Sequence, residues 1–356
     1  MPDLPTIGAP PRSNPAVPVA LTAIAVGLLS GLVYWWTHRP PAPSPTVAAV
    51  TPQAPSMPAE APQAAPSAPV PAPSAPAQAP APSLAAAGAG LKSVSVTIAG
   101  PLETALVSAV GKETGAPLTQ VVTRTLVWWL RVPQDLVRHD ALSVVYEVRP
   151  GHEPVVHAVR FTSGKLGKTL EAYRYQAKGA SFSRFFQPDG TELEERLTDG
   201  PLESYEQVTS LLRDGRRHKG VDFKTPVGTP VRATFDGVIS RKNWNFNGNG
   251  NSVEIEESGG KRRTALFLHL SELPKSVQPG QRVRKGEVFA SSGNSGHSFA
   301  PHLHYQLMLG DTVLDPFDSH ATTRASLPAE EKAAFDQALA SLRKALPAEA
   351  VMGAAR

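Results

Sequence analysis

Residues 40–90 limit every fold this chain can adopt. The stretch is almost wholly Pro, Ala, Ser and Gln, with Glu60 as its only charged residue. Proline has no backbone donor and interrupts both helices and central strands. So little apolar surface cannot offset the entropy of ordering the chain. The composition predicts a disordered, polyproline-II-rich linker over residues 38–90. At about 3.1 Å per residue, some fifty residues reach on the order of 150 Å. Compact structure is therefore expected on either side of this tract and not through it.

On its N-terminal side, residues 16–37 (AVPVALTAIAVGLLSGLVYWWT) carry no charge. About twenty apolar residues span a bilayer, and Tyr34, Trp35 and Trp36 sit at one end, where aromatic rings favour the water–lipid interface. The run is long for a signal peptide and no small-x-small cleavage site follows it. The reading is an uncleaved transmembrane helix over 16–37, preceded by a cytoplasmic tail over 1–15. The rest of the chain would lie on the far side of that membrane, joined to it by this single helix.

After the tract, residues 91–205 read as a small α+β domain. SVSVTIAG (93–100) alternates as a strand does, and LETALVSAVGKETG (102–115) has helical spacing. LVWWLRV (126–132), ALSVVYEVR (141–149) and VVHAVRFT (155–162) read as strands. Residues 206–320 read as short strands cut by turns, among them GVIS (237–240), NSVEIEE (251–257), RTALFLHL (263–270) and HLHYQLML (302–309). No long amphipathic helix interrupts them, so an antiparallel β domain is expected. LPAEEKAAFDQALASLRKAL, inside a segment over 326–346, is helical, with Phe335, Leu339, Leu342 and Leu346 on one stripe.

The chain has no cysteine, which excludes disulfides, thiolate catalysis and Cys-based zinc sites. Its net charge is +4. No basic helix or aromatic–basic surface stands out, so nucleic acid is not an expected partner. What remains chemically distinctive is His218 and Asp222 in HKGVD, His269 in FLHLS, and His302 and His304 in HLHY. Two histidines and a carboxylate make a catalytic zinc set with one open position. On a strand, His302 and His304 share a face with Leu303 behind them, so one can bind metal while the other stands beside it. HKGVD must curl to bring His218 near Asp222, since four extended residues span roughly 13 Å, and Gly220 permits a curl. Hydrolysis also needs a group to take the water proton and donors for the oxyanion. His269 and the non-ligand member of the HLH pair can fill those roles. The histidines at 139, 152 and 157 have no metal-like spacing and read as structural.

These motifs resemble those of the LytM/lysostaphin-type zinc metallopeptidases, which cut peptide bonds in peptidoglycan. The likeness runs over about residues 214–318 and includes HKGVDF, GTPVRATFDGVIS, FLHLSE, VQPGQRVRKGEVFASSGNSG, APHLHYQL and VLDPF. It implies that His218, Asp222 and His304 bind Zn2+, while His269 and His302 act on the water and the oxyanion. Phe267, Ala300 and Asn249 depart from the family's usual Tyr, Gly and Tyr. Residues 91–200, through WWLRVPQDLVRHDALSVVYE and FFQPDGTEL, are similar to the domain that precedes the peptidase in MepM-like murein DD-endopeptidases, where such domains can cover or shape the groove.

The expected fold is mainly β: an antiparallel LytM-type peptidase domain preceded by a small α+β domain, with an N-terminal membrane helix, a disordered tether and a C-terminal helix. The expected function is hydrolysis of peptidoglycan cross-links, with D-Ala–meso-diaminopimelate as the bond implied by the MepM-like layout. A non-catalytic LytM domain that activates a cell-wall amidase or scaffolds division is the alternative.

Overall fold

The computed structural model describes residues 90–212 and 218–348. The expected membrane helix and the linker over 38–90 lie outside the described residues. Among the described residues, no helix is long and apolar enough to cross a membrane.

The first part builds β1 (Leu91–Thr97), α1 (Leu102–Val110), α2 (Lys112–Leu126), β2 (Ala141–Glu147), β3 (Val155–Ser163), β4 (Lys168–Tyr175) and β5 (Arg184–Phe186). The five strands form one antiparallel sheet in chain order. One face carries α1 and α2 over a core that includes Leu106, Leu118, Val122, Leu142 and Phe161. Gly111, at φ 82°, separates the two helices where the sequence suggested one. LVWWLRV is not a strand: Leu126 ends α2 and the following residues turn. Its apolar side chains are core residues all the same. Leu126 and Leu130 are buried in the first core, while Trp128 touches both this core and the next and meets Phe317 edge-on at 5.5 Å.

The second part begins with β6 (Arg196–Leu197), β7 (Gln207–Ser210), β8 (Val221–Lys224), β9 (Pro230–Arg232) and β10 (Gly237–Lys242). It continues through the short helix α3 (Phe246–Asn249), β11 (Asn251–Glu257), β12 (Arg263–Leu270), β13 (Arg282–Val283), β14 (Val288–Ser291), β15 (His302–Leu309) and β16 (Thr312–Leu314). After them come α4 (Pro316–Ser319), β17 (Thr322–Thr323) and α5 (Lys332–Ala345). The main sheet runs β13-β10-β11-β12-β15-β8-β7, with β16 on β15. Its pairs are antiparallel, as the strand–turn pattern predicts. Phe223, Ile239, Val253, Phe267, Leu303 and Tyr305 fill the core beneath it.

The stripe on α5 finds its partner far back in the chain. Phe335, Leu339, Leu342 and Leu346 pack against Val145, Ala158, Tyr173 and Phe186, on the face of the first sheet away from α1 and α2. The chain thus leaves the first sheet, builds the second, and returns to cap the first. Phe335 is fully buried, with its ring edge-on to Tyr175 and Phe186. Phe335→Ala should cost about 3–5 kcal/mol in denaturant unfolding. A loss below ~1 kcal/mol would mean that α5 does not cap the sheet.

Candidate metal centre

The site lies where β8 and β15 pair. Their register sets Asp222 opposite His304 and Lys224 opposite His302. Alternation along β15 works as expected: Leu303 is fully buried in the core, while His302 and His304 project from the other face. His218 precedes β8 and reaches the same face.

Three donor atoms meet there. His304 Nδ1 is 2.9 Å from Asp222 Oδ1, His218 Nε2 is 3.1 Å from His304 Nδ1, and His218 Nε2 is 3.2 Å from Asp222 Oδ1. Tetrahedral zinc with bonds of about 2.0–2.1 Å holds its donors roughly 3.3 Å apart. The observed triangle has that size, and this is the one three-residue metal-ligating group among the described residues. Two imidazoles with one carboxylate are also a zinc donor set. Burial alone would raise the Asp222 carboxyl, but His218 and His304 outweigh it and hold it far below the usual carboxylate range. The carboxylate is therefore ionised and ready to bind a cation.

The surroundings orient these atoms. Ser210 Oγ lies 2.9 Å from His218 Nδ1, and Leu211 O lies 3.4 Å from it. An Nδ1–H held there leaves Nε2 to face the other two donors. Gly220 matters for space. Its backbone is not left-handed, so it does not serve the curl expected from the sequence. Instead a Cβ at Gly220 would sit 2.7 Å from His304 Nε2 and 2.6 Å from Tyr305 O. Beneath the site, the Tyr305 hydroxyl contacts Thr234 Oγ1 at 3.0 Å and His320 Nε2 at 2.9 Å. His320 Nδ1 in turn faces Asp199 at 3.3 Å, and this chain of contacts fixes β15 from the core side.

His302 and His269 flank the triangle. His302 Nδ1–H donates to Ala300 O at 2.8 Å, and its Nε2 lies 3.9 Å from Asp222 Oδ1. His269 Nδ1–H donates to Ser295 O at 2.9 Å, and its ring lies 4.7 Å from that of His302. Plain alternation would turn His269 towards the core with Phe267. A register shift between β11 and β12 and a left-handed backbone at His269, φ 61°, bring its ring to the metal face. Burial pushes the His269 imidazole down to about 4, so it is neutral at neutral pH.

All five expected residues therefore converge. Ser210 had no motif to reveal it. Ser295 and Ala300 lie inside the quoted motifs, but nothing in those motifs showed that their carbonyls orient His269 and His302. The three departures from the family also find places. Phe267 is fully buried against Phe289 and Tyr305, away from the metal. At Ala300 it is the carbonyl that works, and Asn249 bonds within its own turn to Trp244 O.

Residues 216–316 match the family described as Peptidase family M23. Residues 216–316 are a peptidase M23 domain. The M23 segment takes in all five site residues, and the resemblance read from the motifs stands. An uncharacterized metalloprotease of Haemophilus influenzae is 34% identical over 170 residues, 45% of this chain and 34% of that protein. The peptidoglycan DD-endopeptidase ShyA of Vibrio cholerae is 29% identical over 254 residues, 66% of this chain and 56% of that protein. The solved catalytic domain of lysostaphin from Staphylococcus simulans is 31% identical, covering 35% of this chain and 90% of that one, with a TM-score of 0.28. The chain thus spans about a third of the first relative and just over half of the second.

Beside the M23 site, on the His218 side, a cavity of about 410 Å³ opens between α1, α2 and β7. Thr119, Gln120, Thr123 and Arg124 line it from one side, and Ser210 and Leu211 from the other. The first part of the chain therefore borders the metal centre's surroundings.

Proposed function

We propose that the chain is a zinc metalloendopeptidase that hydrolyses peptide cross-links of peptidoglycan. The observation that carries this reading is the triangle of His218 Nε2, Asp222 Oδ1 and His304 Nδ1, flanked by two further imidazoles. Zinc bound at these atoms supplies Lewis acidity to a carbonyl oxygen and lowers the pKa of a water. His218, Asp222 and His304 hold it with three ligands, the number catalytic zinc sites use. His302 and His269, each tied through Nδ1 to a backbone carbonyl, keep Nε2 for the reaction. One would take the water proton at Nε2 and deliver it to the leaving amine nitrogen, and the other, carrying a solvent-derived proton on Nε2, would donate to the developing oxyanion. A non-catalytic activator would have no use for this complete set, which supports hydrolysis over that alternative.

The substrate class follows from the relatives' printed activities, among them the DD-endopeptidase ShyA and the glycyl-glycine endopeptidase ALE-1 of Staphylococcus capitis. Within that class we favour the D-Ala–meso-diaminopimelate cross-link, on the likeness of residues 91–200 to the domain of MepM-like endopeptidases. We further propose a single-pass inner-membrane anchor at 16–37, with the M23 segment in the periplasm, where this polymer lies.

The test is metal analysis and digestion of purified sacculi by residues 91–356. Stoichiometric zinc and released muropeptides are expected, with release lost to a chelator and restored by zinc. Absence of both zinc and fragments would remove the enzymatic reading.

A further inference from the structure

Two segments form the rim on the His269 and His302 side: residues 243–249 and 293–301. They are knitted at glycine-close distances. The His297 N–H donates to Gly248 O at 3.0 Å. Ser295 Oγ accepts from the Asn251 N–H at 2.9 Å and donates to Leu270 O at 2.7 Å. A Cβ on Gly296 would lie 2.2 Å from Gly250 N, so the segments touch where no side chain fits. The second segment also supplies the carbonyls that orient His269 and His302. The rim is therefore continuous with the reacting groups.

Its composition sets it apart. Neither segment contains Asp, Glu, Lys or Arg, in a chain with 35 basic and 31 acidic residues. The cation set against them, the Arg241 guanidinium 4.2 Å from the Trp244 ring, is already neutralised by its ion pair with Glu254. Yet it shows aromatic rings to solvent. Phe299 is 92% exposed, with its ring edge-on to His297 at 5.1 Å, and Phe246 is 53% exposed. Asn243, Asn245, Asn247 and Asn294 are exposed around them. Two phenyl rings held out in water on one hydrogen-bonded rim beside an oriented site give a ligand apolar surface to cover.

We infer that this rim binds the glycan strand of the polymer, taking its neutral N-acetylated sugars. The inference rests on the peptidoglycan reading of the metal site. Phe299 and Phe246 offer flat apolar faces to the C–H faces of sugar rings. Asparagine amides match hydroxyl and acetamido groups: Asn243 and Asn294, whose Oδ1 atoms already accept from Ser252 N–H and Ser298 Oγ, offer N–H donors, and Asn245 and Asn247 offer donors and an acceptor. The lack of charge selects among partners. A stem peptide with free carboxylates calls for Lys or Arg, and an anionic membrane surface calls for a basic cluster. Neutral sugars call for neither. The peptide being cut is attached to such a sugar, so a sugar subsite at the edge of the peptide groove is where the polymer's connectivity requires it.

The test compares the full chain with the Phe246→Ala/Phe299→Ala variant on three probes: purified sacculi, a sugar-free cross-linked stem-peptide dimer, and N-acetylglucosamine tetramer binding followed by NMR. Both side chains are exposed, so folding should survive, and Tm checks it. The ratio of sacculus to dimer cleavage should fall about tenfold in the variant, with tetramer binding weakened to match, and Phe→Tyr at both sites should restore them. Equal losses on sacculi and dimer, or tetramer binding that is absent in the parent chain or unmoved in the variant, would overturn the inference. A parent chain that binds the tetramer but cleaves neither polymer nor dimer would uphold the rim and remove the peptidase reading instead.

Discussion

Gly220→Ala should leave the chain folded and strip it of zinc. The added Cβ would meet Tyr305 O at 2.6 Å, His304 Nε2 at 2.7 Å and His304 Cε1 at 2.8 Å. Tyr305 O belongs to β15, which is held on both sides by strand pairing, so it cannot retreat. The His304 ring must move, and with it Nδ1, now 2.9 Å from Asp222 Oδ1 and 3.1 Å from His218 Nε2. Overpacking of this kind costs about 1–3 kcal/mol in stability, which a domain survives. Metal sites tolerate displacement less: loss of a single orienting partner already costs about 10–100-fold in affinity. Here a ligand itself is displaced, so the loss should be larger, and sacculus cleavage should fall with it. Asp222→Ala is the reference, because it removes the site's one charge and should abolish stoichiometric zinc outright. Metal content after dialysis, read beside Tm, decides the matter. Full zinc occupancy in Gly220→Ala would show that the His304 ring has room the structure does not give it.

Gly220 also shows where sequence reading stops. The pairing of His302 and His304 on one face follows from strand alternation and was legible in HLHY. That Asp222 stands opposite His304 was not, because the register joins residues 82 positions apart. The glycine could be noticed, but its reason is steric contact with a ring across that register, not a turn. LVWWLRV misled for a related cause. A short apolar run fits a buried strand or a helix end equally well, and the first of its two tryptophans, Trp128, serves as a bridge between two cores. The stripe on α5 was visible, but the side chains it packs on, Val145 to Phe186, lie 149 or more positions earlier. That placement bears on how the first part of the chain can be tested. A chain beginning near residue 205 loses the sheet under Phe335 and Leu339, so it exposes α5 as well as the cavity beside His218.

His269 is the residue at which alternation fails, and its substitution should separate binding from turnover. It is not one of the three converging donors. Its ring is oriented by Ser295 O, is neutral at neutral pH, and faces His302 at 4.7 Å. Removing the imidazole should leave zinc stoichiometric and lower sacculus cleavage by about 10²–10⁴-fold, the range for a positioned acid or base. His269→Ala alone is ambiguous, because φ 61° is a conformation most side chains resist. His269→Asn resolves this: asparagine tolerates left-handed backbone far better, so it keeps the local turn and removes the base. Both variants should retain zinc, and both should be slow. The His269→Asn/His302→Ala double variant should lose little beyond the worse single, since groups that act on one proton transfer are not additive. If His269→Asn releases muropeptides at the parental rate, the imidazole has no part in the chemistry. Its left-handed backbone would then serve only to close the strand against the loop carrying Ser295.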